Sequence, residues 1–376
     1  MTDKKNREKL QTTLGALVMA LIFLLVGAFC GLLIIQYLDR RSSSSQSGDL
    51  LLFAVMIAGL YLTMYIQIVL HEAGHLVCGL LSGYRFLSFR VGGLILQKTD
   101  GSFGFRRMRL AGTGGQCLMI PPEQRPDGTV PFVLYNLGGV LMNVLTAAVF
   151  WLLSLLWPGS AAALVLRMGA LVGLAFALVN GLPLHMKEID NDGCNIVSMR
   201  RDPEAVRAFW AQLSANARSA AGVRLRDMPE AWFALPPEAN LGNTLISSVA
   251  VLRENRLCDE GKLEEADAAA QALLEGSARL PGLYRSLLIN DRIFFALLRG
   301  EDPAPMLTKQ QRSFMKRMQT YPSILRTEYA LARHAGDEAR AAATLRRFSQ
   351  AAQRYPNPAD IAAERELLSR AGAPAL

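Results

Sequence analysis

Apolar positions gather into four long runs in the first half of the chain, and the polar residues between them set the direction of each. The runs cover residues 14–35, 50–82, 131–157 and 161–179. Crossing the hydrocarbon of a bilayer takes about 20 residues, so each run predicts a transmembrane helix; the second is long enough to require tilt or a later start. Lys4, Lys5, Arg7 and Lys9 precede the first run. That run is longer than the apolar part of a secretory signal, and Tyr37-Leu38-Asp39-Arg40-Arg41 follows it in place of a small-residue cleavage site. It therefore reads as an uncleaved span with its N-terminus in the cytosol. Residues 42–48, SSSSQSG, then read as a short flexible loop on the outer face.

The second run returns inward and is followed by Arg85, Arg90, Lys98, Arg106, Arg107 and Arg109, which the positive-inside rule puts in the cytosol. The third ends at Trp157-Pro158-Gly159-Ser160, a turn whose tryptophan suits the outer interface. The fourth runs inward again and is broken by Asn180-Gly181-Leu182-Pro183, where freed backbone groups need a partner or a water-filled cavity. The chain is thus expected in the cell membrane as a multi-pass protein with both termini cytosolic and the lipid bilayer as its first partner.

Two further patterns complete the expected fold. Residues 94–98 and 103–110 flank Asp100-Gly101, a dipeptide suited to a tight turn, and predict a small cytosolic β-hairpin; it serves either as an edge strand for an extended polypeptide or as a plain loop. From about residue 197 no apolar run occurs and helix formers dominate. Helix-turn-helix patterns recur around Gly261, Gly300 and Gly336, with Ala266 and Ala270 placed for close packing and Tyr321-Pro322 and Tyr355-Pro356 ending the latter two hairpins. This region resembles tetratricopeptide hairpins and forms either a helical solenoid with a concave binding surface or a generic helical domain. The fold class expected is an all-α polytopic membrane protein of about four transmembrane helices with that hairpin, followed by a cytosolic α-helical, tetratricopeptide-like domain. Its divisions are an N-terminal membrane anchor and outer loop at 1–49, a membrane core at 50–195, and the helical domain at 196–376.

Composition changes this picture little. A hydrophobic share of 51% is high for a soluble protein. A net charge of +8 raises nucleic acid as a partner, but much of the excess flanks the apolar runs, where membrane orientation accounts for it, and no nucleic-acid partner is expected. Cys30, Cys78, Cys117, Cys194 and Cys258 show no CxxC spacing and are expected as free thiols. Gly112-Thr113-Gly114-Gly115 lacks the strand-loop-helix context and lysine of a phosphate-binding loop.

The chemistry concentrates in His71-Glu72-Ala73-Gly74-His75, inside the second run. Histidines four apart share one side of a helix, so both imidazoles can bind one metal ion while the glutamate between them reaches a water on it. Ionisable groups within a membrane helix are costly and usually functional. HEAGH in an apolar helix resembles the site-2 protease family of intramembrane zinc metalloproteases. Gly139-Val140-Leu141-Met142-Asn143 is similar to that family's GxxxN pattern, and Asn180-Gly181-Leu182-Pro183 with Asp192-Gly193 to its Asn-x-x-Pro and Asp-Gly segment. The resemblance covers about residues 50–195. It implies a zinc metallopeptidase acting on a membrane protein or peptide, with His71, His75 and Asp192 as zinc ligands, Glu72 as general base, and Asn143 and Asn180 as oxyanion or structural support. The family's usual spacing from Pro183 would take Glu188 as third ligand, and Asp190 lies between; the glycine after Asp192 favours Asp192, because a residue without Cβ lets the backbone come close to the metal. His185 either assists or is an interfacial histidine, Cys78 is expected as a buried filler, and His334 as a surface residue.

The rival class is a membrane-anchored helical-repeat adaptor with a vestigial or structural metal site, in which the helical domain binds a cytosolic protein. Glu72 argues against it, since a structural zinc site fills every position with protein ligands and needs no base. A transporter would carry inverted repeats, which the chain does not display.

Overall fold

The computed structural model describes residues 2–40, 46–99, 101–108, 114–185, 190–276 and 280–374. Four helices are long and apolar enough to cross a membrane: α1 (Thr2–Arg40), α2 (Gln46–Leu81), α3 (Val133–Ser154) and α4 (Ala161–Gly181). They match the four apolar runs. The last residues of the expected outer loop, Gln46-Ser47-Gly48, already belong to α2, while 42–45 lie outside the described residues. The surface changes character along the chain. Among the described residues, every exposed large apolar side chain lies at or before Leu182, on the outer faces of these four helices and on the small sheet. Apolar surface on that scale calls for lipid or a partner; the surface beyond Leu182 is of the kind water tolerates.

Between α2 and α3 lies a four-stranded antiparallel sheet in place of the expected single hairpin: β1 (Arg85–Val91), β2 (Leu94–Thr99), β3 (Ser102–Arg107) and β4 (Gly115–Ile120), in the order β3-β2-β1-β4. β2 pairs with β3 where the hairpin is expected, with Thr99 opposite Ser102 and Gly101 at a φ of 82° that favours glycine, while Asp100 lies outside the described residues. A second turn at Gly92-Gly93 joins β1 to β2. β4 begins at the last glycine of the Gly112–Gly115 run, of which 112 and 113 lie outside the described residues.

After α4 the chain forms α5 (Asp192–Arg201), α6 (Pro203–Ala220), α7 (Thr244–Asp259), α8 (Leu263–Gly276), α9 (Gly282–Leu298), α10 (Lys309–Arg317), α11 (Pro322–His334), α12 (Glu338–Ala352) and α13 (Pro358–Arg370). The turns after α7, α9 and α11 contain Gly261, Gly300 and Gly336, all at positive φ, so the recurrent glycines mark helix ends as their spacing suggests. Ala266 and Ala270 are fully buried on α8, and the Tyr321 and Tyr355 rings meet edge to face. One apolar cluster joins the sheet, α3 and the helical region: Tyr84, Met119 and Tyr135 pack with Met199, Val206, Phe209 and Ile246. On β2 and the edge strand β3, Gln97 donates to the Pro356 carbonyl and the Arg107 amide to the Arg354 carbonyl, both at 2.8 Å. The cluster and these bonds tie the region beyond residue 195 to the sheet that follows α2.

Candidate metal centre

The two histidines of HEAGH lie near the C-terminal end of α2, against α3. Glycines make that approach possible: a Cβ on Gly74 would fall 2.1 Å from the Gly138 carbonyl oxygen, and one on Gly139 would fall 2.4 Å from the His71 ring. The GxxxN pattern thus has a local meaning. Gly139 leaves room for the imidazole, and Asn143, one turn later, is hydrogen-bonded to it.

A chain of hydrogen bonds fixes the tautomer of His71. Gln67 Nε2 donates to the Gly169 carbonyl at 3.1 Å, which leaves Gln67 Oε1 to accept from Asn143 Nδ2 at 2.8 Å. The amide oxygen of Asn143 therefore faces His71 Nδ1, at 2.7 Å, and accepts its N–H. Gln67 and Asn143 are both fully buried. His75 Nδ1 donates to the Tyr135 carbonyl at 2.8 Å. In a neutral imidazole whose Nδ1 carries the hydrogen, Nε2 is a bare acceptor. Both Nε2 atoms point to one place, 3.1 Å apart.

Asp192 completes the group. Its Oδ2 lies 3.2 Å from His71 Nε2 and 3.4 Å from His75 Nε2, yet this buried oxygen accepts no hydrogen bond, because both rings spend their N–H elsewhere. Three acceptors converge on one point with no proton among them. Tetrahedral ligands at about 2.0–2.1 Å from zinc stand about 3.3–3.4 Å from one another, so the spacing and the N, N, O donor set fit that ion.

The path that brings Asp192 here explains the broken end of α4. Pro183 has no N–H for the Val179 carbonyl, one helical turn back. Asn191 takes that place: its Nδ2 donates to the carbonyls of Val179 and Leu182, each at 2.6 Å, while its Oδ1 caps α5 by accepting from the Cys194 amide at 2.9 Å. Gly193 serves a different purpose from the one its sequence position suggests. Its φ is not positive; a Cβ there would fall 2.4 Å from the Gly181 carbonyl oxygen, so it lets α5 begin directly against the end of α4.

Glu72 is buried, with its carboxylate against the first residue of β4: a Cβ on Gly115 would come within 2.5 Å of Oε1. Arg90, counted among the positive cytosolic residues by sequence, is only 2% exposed and donates to the carbonyls of Gly92 and Gly115. It fixes the backbone beside Glu72, and its guanidinium is held below its usual pKa by burial, against the opposing pull of Glu72.

The other sequence candidates fall elsewhere. Asn180 donates to the Phe176 carbonyl within α4. Asp190 lies with His185 and Cys194 in a separate group, and Glu188 lies outside the described residues. The Cβ of Cys78 faces Gly138 between α2 and α3, His334 is exposed at the end of α11, and all five cysteines are free. Gln67, Arg90, Asn191 and the Tyr135 carbonyl were missed by sequence reasoning. Of these only Gln67 left a signal, lying four residues before His71 on the same helix face.

No protein-family model matches the chain, and neither the curated proteins nor the solved structures gave a match.

Proposed function

We propose that this chain is a membrane-embedded zinc metallopeptidase of the site-2 protease kind, hydrolysing peptide bonds of membrane-associated proteins or peptides. The observation that carries the reading is the convergence of His71 Nε2, His75 Nε2 and the orphaned Asp192 Oδ2 within an apolar helical bundle. Zinc held by these residues would supply a Lewis acid for the scissile carbonyl and acidify water toward neutral pH. Asn143 and the Tyr135 carbonyl orient the two imidazoles for that task. Glu72, on the same helix, takes the proton from water and returns it to the leaving amine. β4 is an edge of the sheet and begins beside Glu72, which suits it to hold an extended substrate backbone by strand pairing. Asn143 acts in this account as support for His71, and an oxyanion role for Asn143 or Asn180 is not required.

The topology proposed with it puts both termini and the sheet in the cytosol, from Lys4, Lys5, Arg7 and Lys9 at the N-terminal end of α1 and the basic residues in β1 to β3. The helical region is assigned to recruitment. A cavity of ≈ 360 Å³ between the sheet and this region, bordered by Gln97, Gln212, Asn255, Tyr284 and Arg326, gives it a surface for a partner or substrate segment. The same cavity is what favours the adaptor as second reading.

The test uses full-length protein in lipid vesicles with a mixture of single-span membrane peptides, new termini being read by mass spectrometry and zinc by elemental analysis. Glu72→Gln should keep zinc and lose cleavage. Undiminished cleavage by Glu72→Gln would remove the mechanism, and zinc without any cleavage in the wild-type chain would favour the adaptor.

A further inference from the structure

A second group of ligand-type side chains lies on the other side of the segment that delivers Asp192. His185 Nδ1 is 3.1 Å from Asp190 Oδ1 and 3.4 Å from Cys194 Sγ. A cysteine, a histidine and an aspartate invite comparison with a nucleophilic triad, but a triad uses both nitrogens of its imidazole, one toward the nucleophile and one toward the carboxylate. Here sulfur and carboxylate oxygen face the same nitrogen. Donor atoms that share one focus make a tripod for a cation and do not make a relay for a proton.

The surroundings fit that use. Thr244 Oγ1, at the start of α7, donates to the second oxygen of Asp190 and leaves Oδ1 directed at the focus, as outer hydrogen bonds commonly orient carboxylate ligands. Asn191 anchors Cys194 through its backbone amide, and the His185 backbone rests on α1, where a Cβ on Gly15 would fall 2.5 Å from the His185 carbonyl oxygen. All three side chains border a pocket of ≈ 320 Å³ that also includes Ser198, Arg201 and Asn243, so the focus has room for a further ligand or water.

We propose that His185, Asp190 and Cys194 form a second metal site, distinct from the one at His71, His75 and Asp192, that binds Zn²⁺ through one nitrogen, one oxygen and one sulfur. Imidazole, carboxylate and thiolate together suit a borderline ion such as zinc; they do not suit the hard, all-oxygen cations. Residues two apart on a helix point about 200° from each other, so Asp192 and Cys194 leave the first turn of α5 toward opposite sides, one to each site.

The thiolate makes the two sites spectroscopically separable. Full-length protein in detergent is loaded with Co²⁺, which reports a sulfur ligand by a near-ultraviolet charge-transfer band. The band should be present in the wild type, persist in His75→Ala, and vanish in both Cys194→Ser and His185→Gln. In parallel, each of the latter two should lose one equivalent of bound Zn²⁺ while keeping the zinc at His71 and His75. Absence of the band in cobalt-loaded wild type, or its survival in His185→Gln, overturns the proposal. His185→Gln keeps the test decisive if the buried Cys194→Ser fails to fold. A band lost in His75→Ala would place the sulfur at the first site and overturn it equally.

Discussion

Buried charge is handled in two different ways at the two ends of this molecule. In the helical region Arg326, 2% exposed, pairs with Asp291 and Glu364 and stacks over the Phe294 ring, while Arg224 pairs with Asp259 and Glu366. Each of these groups meets an opposite charge from the protein, and burial pushes the carboxyls of Glu364 and Asp360 up to about 7 and about 6, so protons supply part of the remaining neutralisation. Beside the four long apolar helices, the ion pairs of Asp192 among the described residues are with His71 and His75, whose available hydrogens already go to Asn143 and Tyr135. The first network pairs its charges within the protein, although Arg326 Nε makes no hydrogen bond, and reads as architecture. The second is an acceptor set without a donor, which a cation completes in the proposed reading. Burial and polarity alone would have ranked the two alike; counting donors separates them.

Substitutions can press on that contrast. The largest effect on turnover, short of removing Glu72 or a zinc ligand, is expected from Gly115→Ala. Its new Cβ must displace the Glu72 carboxylate, which moves readily as the end of a flexible side chain, so turnover should fall about 100-fold, the lower range for losing a positioned base, with zinc retained. Loss of zinc in this variant would mean that the sheet supports the metal ligands and not the base. Asn143→Ala comes next. Without the amide that orients His71, zinc affinity should drop about 10-fold or more, measured by competition with a chelator. Unchanged affinity would make Asn143 mere helix packing.

The smallest effect concerns the charge-paired network and has a defined sign. Glu364 and Asp360 hold protons in the folded chain at a pH where they would release them on unfolding, so the folded state binds more protons between about pH 4.5, the ordinary carboxyl range, and about pH 7. Stability from this source is complete at the acid end of that window and is lost as pH rises through it. The thermal midpoint of the full chain should be lower at pH 7.5 than at pH 5.5, and Glu364→Gln should flatten the difference. A midpoint that rises over the same interval would show that the carboxyls are ionised and fully paired.

Much of this was legible in the sequence, for reasons that differ by element. The four long apolar helices follow from hydropathy, which needs no tertiary information, and HEAGH is a local pattern on one helix face. Asp192 was selected over Glu188 and Asp190 by its following glycine; among the described residues it is the carboxylate grouped with the two histidines, although Gly193 acts through contact with Gly181. What stayed hidden depends on distant pairings. β4, GQCLMI, lacks the polar-apolar alternation that announces a strand, Arg90 looks like any basic loop residue until the Gly92 and Gly115 carbonyls surround it, and Asn191 has meaning only beside the carbonyl that Pro183 leaves without a donor. A backbone acceptor such as the Tyr135 carbonyl leaves no trace in residue identity at all.

The central claim is that the acceptors at the end of α2 hold zinc through Asp192. Its most direct test is the zinc content of full-length Asp192→Ala, prepared on a His185→Gln background so that metal at the second site does not enter the count. The account predicts one zinc per chain in the background protein and an occupancy about tenfold lower or less in Asp192→Ala at the same free zinc. Full zinc content in Asp192→Ala would contradict it.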